Sequence, residues 1–320
     1  MKYFQQIKLL AVWGMFALLV GCSSDDGTAP AAYSGVETQA AVTTANSSDF
    51  ADATVDSADS GSNSANASAG EGDRHALMMR FVGKLPSMVQ HAETGKESGS
   101  SGGASAAIQS SSDTVDGPCG GTMTTSFSID DVTFEWTGSI SYSAYCEEPG
   151  SKMDGSVSFE GNLSSSTFTF GALTYSDATE SFTLSGTMVM SGIPGSTGSV
   201  YTFTMNMDVR DNNAGETVRM ADMVMTVNEY SSSGYDTVSM AGKVYHAEHG
   251  YVTVSTTTNI TMYYNKEYPS AGVLVLTGSG NTSVRLTFNA DGTYTKDIDE
   301  NGDTTYETTQ TCTWSTGACV

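Results

Sequence analysis

The chain has 320 residues, of which 36 are Asp or Glu and 13 are Lys or Arg, giving a formal charge of -23. That balance excludes a nucleic-acid partner, because phosphate backbones are bound by clustered cations. With 5 cysteines and 6 prolines the chain is neither a disulfide-framed miniprotein nor collagen-like, and charged residues are only 15% of it, their place being taken by Ser, Thr and Gly.

Lys2 and Lys8 flank the start of a 12-residue apolar run, Leu9 to Val20. A run of that length is the core of an export signal, since a helix that spans a bilayer needs about 20 apolar residues. Directly after it stands Leu19-Val20-Gly21-Cys22. At this point the chain resembles the bacterial lipoprotein class, whose lipobox closes on an acylated cysteine. The resemblance covers residues 1–22. It implies that residues 1–21 are a cleaved signal peptide and that Cys22 carries a covalent lipid. Ser23, where an Asp would imply retention in the inner membrane, implies delivery to the bacterial outer membrane. Two or three acyl chains anchor a protein almost permanently, so the membrane is the first expected partner.

Residues 22–73 are an acidic, Ser-rich stretch in which Tyr33 and Phe50 are the only aromatic side chains. So little apolar surface does not offset the entropy lost on ordering, and a disordered tether is expected. In residues 74–94, Leu77, Phe81, Leu85 and Met88 recur at spacings of four, four and three. This predicts one short amphipathic helix, read as a cover over an open end of the domain that follows. Residues 95–118 return to Ser and Gly and read as a linker.

From residue 119 to 320 the pattern changes to alternation, as in Tyr201, Phe203, Met205, Met207 and Val209 with Thr202, Thr204, Asn206 and Asp208 between them. About 12 strands are expected, joined by turn residues such as Asp211-Asn212-Asn213 and Asp291-Gly292. Parallel pairing needs crossovers that are missing here, so the fold class is all-β with a long antiparallel meander. A weak repeat, in which an apolar and a small residue precede Gly or Asp, occurs at Met153-Asp154-Gly155, Leu184-Ser185-Gly186, Met220-Ala221-Asp222 and Met240-Ala241-Gly242. Glycine inside strands marks bulges, and the expected result is a strongly curved sheet, a half-barrel or barrel. A transmembrane barrel is the rival architecture, with charges on both faces of many strands against it.

Cys119 and Cys146 lie across the open end of one expected hairpin, and Cys312 and Cys319 bracket a tight turn; both pairs are predicted disulfides. For a metal, Asp297, Asp299, Asn301 and Asp303 with Gly302 resemble the first half of an EF-hand loop and mark a candidate calcium site, although the closing Glu307 falls one position early. His246-Ala247-Glu248-His249 matches no metalloprotease order. On a strand its two imidazoles would face opposite ways, so joint ligation requires a turn, and a solvated hairpin tip is the expectation. Met188, Met190, Met205, Met207, Met240 and Met262 fall on predicted strands, where flexible thioethers line a pocket for an apolar ligand or simply fill a core. No catalytic constellation and no cofactor motif stands out. The expected function is a lipid-anchored, non-enzymatic protein of the cell envelope with a structural or interaction role, its partner an envelope protein. The alternative is a carrier of a lipid or other apolar small molecule.

Overall fold

In the computed structural model, residues 33–62 and 109–320 are described, apart from 131, 134, 163, 179–180, 195–198, 231–232, 267 and 315–317. The signal peptide expected over 1–21, the lipid attachment expected at Cys22 and the helix expected over 74–94 lie outside the described residues. The strands are β1 (Gln109–Asp116), β2 (Thr122–Ile129), β3 (Trp136–Tyr145), β4 (Lys152–Asn162), β5 (Ser165–Ser176), β6 (Ser181–Pro194) and β7 (Ser199–Asp211). They continue as β8 (Thr217–Tyr230), β9 (Tyr235–His246), β10 (Gly250–Tyr263), β11 (Ala271–Thr277), β12 (Ser283–Phe288), β13 (Thr293–Asp299) and β14 (Thr308–Thr313). Among the described residues one α-helix, α1 (Ser47–Ser62), precedes them. The sheet has 14 strands in sequential order, a meander in which β1 and β14 are the two ends; among the described residues no pairing joins those ends into a barrel. The first strand, β1, occupies part of the stretch expected to be linker, its Ser and Thr residues having given no apolar alternation to read.

The chain divides into two compact units. The described part of the first holds residues 109–191 and 209–215, with alternate residues such as Ile140, Val157, Phe170 and Leu184 buried. Its strands are bulged where the sequence repeat falls. Gly155 has φ 110° beside a register shift between Asp154 and Ser156, and Gly186 has φ 117° beside one between Phe170 and Leu173. A backbone with positive φ breaks the pleat and bends the strand there.

The Cys119–Cys146 disulfide closes the base of the β2–β3 hairpin, with Cα atoms 5.2 Å apart, and the Cys146 amide donates to the Gly120 carbonyl. Replacing both cysteines by serine is expected to lower the stability of this unit by up to about 3.5 kcal/mol, the loop entropy returned to the unfolded chain. Urea unfolding measures it. A midpoint unchanged from the native chain would show that the hairpin's own backbone pairing already closes the loop.

The second unit holds 33–62, 192–208 and 216–320. Its core is built from Met220, Met225, Val238, Val252, Leu274, Leu286 and Ile298, all at most 1% exposed. The bulge repeat recurs at Asp222, φ 51°, beside a register shift between Ala221 and Val224. The second disulfide, Cys312–Cys319, folds the last residues back on β14, where Thr311 and Val320 exchange backbone hydrogen bonds of 2.9 Å. That pairing covers part of a strand edge that would otherwise stand open.

The tether expected over 22–73 is corrected for residues 33–54. Every second hairpin turn of a meander lies at the same end, and this segment crosses three of them in succession. Val36 donates to the Ala247 carbonyl at the β9–β10 turn, Thr38 accepts from Tyr251, and Ala40 donates to the Tyr251 carbonyl. Ala40 then accepts from Ser279 and the Val42 amide donates to Thr282 Oγ1 at the β11–β12 turn. Thr44 finally donates to Glu300 at the β13–β14 loop. Tyr33 opens this strap with Arg219 stacked on its ring at 4.3 Å, and burial pushes its phenol up to about 12 against the lowering effect of Arg219.

The turn Thr43–Asn46 leads into α1, with the Thr43 amide donating to Asn46 Oδ1 at 2.8 Å, much as in a capping box. Phe50, Ala51 and Thr54, three, four and seven residues after Ser47, form with it the buried face of the helix, and Ala53 is buried beside them. Phe50 alone among them is large. Entropy is offset here by strap hydrogen bonds and a few buried side chains, Tyr33, Val42 and Phe50 foremost, which composition over the whole stretch does not reveal.

Candidate functional site

The hairpin between β9 and β10 closes in a turn of three residues, Ala247 to His249. His246 is fixed from both sides: it ends β9 and pairs with Val218 of β8 and Gly250 of β10. The turn then rotates His249 back over it, and the two imidazoles stack with centroids 4.6 Å apart and planes 18° from parallel. From the first turn of α1, Asp49 reaches the same place, its Oδ2 lying 2.8 Å from His249 Nε2. Beneath all three sits the fully buried Phe50, its ring centroid 6.3 Å from that of His246 and 5.8 Å from that of His249. One ligand atom from each of Asp49, His246 and His249 lies within 4.8 Å of the other two.

Charge around this trio is mostly acidic. Burial pushes the His246 imidazole below its usual range and the neighbouring His249 lowers it further, while Asp49, Glu216 and Glu248 act the other way. The nearest described cation to α1 is Lys296 of β13, which is 2% exposed and donates through Nζ to Ser48 Oγ at 2.8 Å. Burial lowers its pKa, opposed by Asp52 and Asp49. Lys296 and the trio together fasten α1 to the sheet by polar contacts at two points.

The EF-hand-like residues are not brought together as their spacing suggests. β13 runs on through Asp299, so Asp297 and Asp299 belong to a paired strand and not to a loop. Asp297 accepts from Arg285 Nη2 at 2.8 Å and from Thr309 Oγ1 at 2.7 Å. Asp299, 1% exposed, accepts from the amides of Gly302 and Thr304 and thereby shapes the turn. Asn301 accepts from the Asp303 amide and donates to the exposed Glu307. The carboxylates that converge are Asp299, Asp303 and Glu307.

The six methionines are divided between the units: Met188 belongs to the first and Met205, Met207, Met240 and Met262 to the second, all of them at most 5% exposed. Met190, also in the first unit, is half-buried. A groove of about 240 Å³ is lined by Lys266, Tyr268, Pro269, Ser270, Ala290, Asp291 and Gly292, and by none of these methionines.

The sequence could point to half of the histidine site. His246 and His249 are visible as a pair, but Asp49 lies in a segment whose composition reads as tether. The capping-box spacing of Thr43 and Asn46 was the one local signal for a helix there. No protein-family model matches the chain, and neither a curated protein nor a solved structure is found to match it.

Proposed function

We propose that this protein is a lipid-anchored component of the bacterial cell envelope, attached to the outer membrane through Cys22, with a structural or interaction role and no catalysis of its own. The observation that carries the reading is the apolar run ending in Leu19-Val20-Gly21-Cys22. Two disulfides support it, since such bonds persist outside the reducing cytosol. The bulges at Gly155, Gly186 and Asp222 support the further reading of a strongly curved sheet of half-barrel form.

The strap alters how such an anchor would hold the domain. From Cys22 to Tyr33 is 11 residues, which span at most roughly 40 Å when fully extended. A domain beginning at residue 119 would have had a far longer leash. The strap end of the meander would therefore be held close to the lipid surface.

Replacing Cys22 by serine tests the proposal. The native chain is expected in the detergent phase after phase separation of whole-cell extracts, with incorporation of labelled palmitate, and the Cys22→Ser chain in the aqueous phase without label. A Cys22→Ser chain that stays with the membrane fraction would point to an integral barrel and overturn the reading.

A further inference from the structure

We propose that Asp49, His246 and His249 form a binding site for a divalent transition-metal ion of the zinc class, which staples α1 to the β9–β10 turn. Two imidazoles with one carboxylate are the ligand set that zinc and its neighbours prefer, whereas calcium and magnesium require oxygen donors. The set is assembled from two elements far apart in sequence. His246 is held by strand pairing on both sides, His249 by the tight turn and Asp49 by the helix.

The ligand atoms are already close, but the rings must turn, because an ion lies in the plane of each imidazole that holds it and these two planes are 18° from parallel. Zinc takes imidazole nitrogen at about 2.0–2.1 Å and carboxylate oxygen at about 2.0–2.2 Å, so ligand atoms around it stand roughly 3.3–3.5 Å apart. Here they lie within 4.8 Å of one another, and the Asp49–His249 pair, at 2.8 Å, has only to open slightly. The Asp49 side chain is 45% exposed and free to change rotamer, and that of His249 is 27% exposed. Phe50 closes the floor, leaving the solvent side for a water as fourth ligand. Three protein ligands and an open position make a site that binds without being sealed.

Two existing contacts are exchanged for the metal bonds. The hydrogen bond between His249 Nε2 and Asp49 Oδ2 is given up when both atoms face the ion, the ring proton then residing on Nδ1. The Glu248 amide now donates to His246 Nδ1 over a long 3.3 Å. Whichever ring nitrogen takes the metal, that contact is given up, because Nδ1 then carries either the ion or the proton. Against these losses stands the attraction of Glu216, Glu248 and Asp52 for a cation, with Lys296 opposing from its place against Ser48.

The test is titration of the full-length chain with zinc chloride by calorimetry, paired with thermal melting, for the native chain, Asp49→Asn and His249→Gln. The expected result is a zinc site in the native chain that each substitution weakens by at least about tenfold. Zinc should raise the melting temperature of the native chain and of neither variant, since an ion that binds only the folded state stabilises it. Each substitution also removes the Asp49–His249 contact, so the zinc-induced shift is read against each variant's own zinc-free melt. Calcium replaces zinc in a parallel titration. The proposal is overturned if the native chain takes up no zinc, if both variants bind it as the native chain does, or if Asp49→Asn removes a calcium site tighter than the zinc site.

Discussion

Replacing Phe50 by alanine is expected to destabilise the second unit by about 3–5 kcal/mol, the range for truncating a buried phenylalanine. The ring has no exposed surface and is the one large apolar side chain among the described inward residues of α1, the others being Ser47, Ala51, Ala53 and Thr54. Ser and Asp make up most of the rest of the helix, so its intrinsic propensity is poor and packing must hold it. Without the ring the helix has an alternative to living with a cavity: it undocks. The loss then stops at the free energy of docking, and the measured value is the smaller of the two. Urea unfolding followed by circular dichroism gives the magnitude, and limited proteolysis between Ser47 and Ser62 shows which course the protein takes. A loss below about 1 kcal/mol, with α1 still protected, would contradict the buried packing of this residue.

Replacing Gly250 by alanine is expected to cost at least about 2 kcal/mol by a different route. Gly250 begins β10 with φ 98°, a conformation that penalises any residue with a Cβ. A Cβ there would also overlap the Thr38 carbonyl, the acceptor of the Tyr251 amide. Strain and clash act together, and the strap must lift before the turn can relax. Hydrogen exchange separates this change from the first. Gly250→Ala is expected to deprotect the amides of Ala40 and Tyr251, whereas Phe50→Ala leaves them protected and exposes only α1. Full protection of both amides in Gly250→Ala would mean that the strap accommodates the methyl group and that the close approach is not a constraint.

The two regions differ in how plainly the sequence announces them. Strands such as β7 and β9 were legible because one face is apolar and the other polar, residue by residue. The bulges were legible too, since Gly155, Gly186 and Asp222 interrupt that rhythm at recurrent places. Both disulfides followed from their positions across turns. α1 was not legible, because small residues bury a face without any hydropathy signal and Ala51 and Thr54 look the same in a coil. β1 escaped for a related reason: its alternation is between polar residues. The pairing of His246 with His249 could not be read from strand geometry, in which residues three apart diverge. It depends on where the strand ends, and one residue's difference in that boundary decides it. The acidic stretch after β13 misled in the converse way, its spacing suggesting a loop where Asp297 still belongs to a strand bound to Arg285.

The strap's hydrogen-bond partners lie up to 256 residues away along the chain. Synthesis delivers residues 33–44 early, yet Ala247, Tyr251, Thr282 and Glu300 arrive almost last. Until they do, those early backbone amides have no native acceptor, and the meander must assemble its own hairpins first. The segment made first is thus fastened last, as a clasp over finished work, and a ribosome stalled before the final hairpins would leave it hanging open.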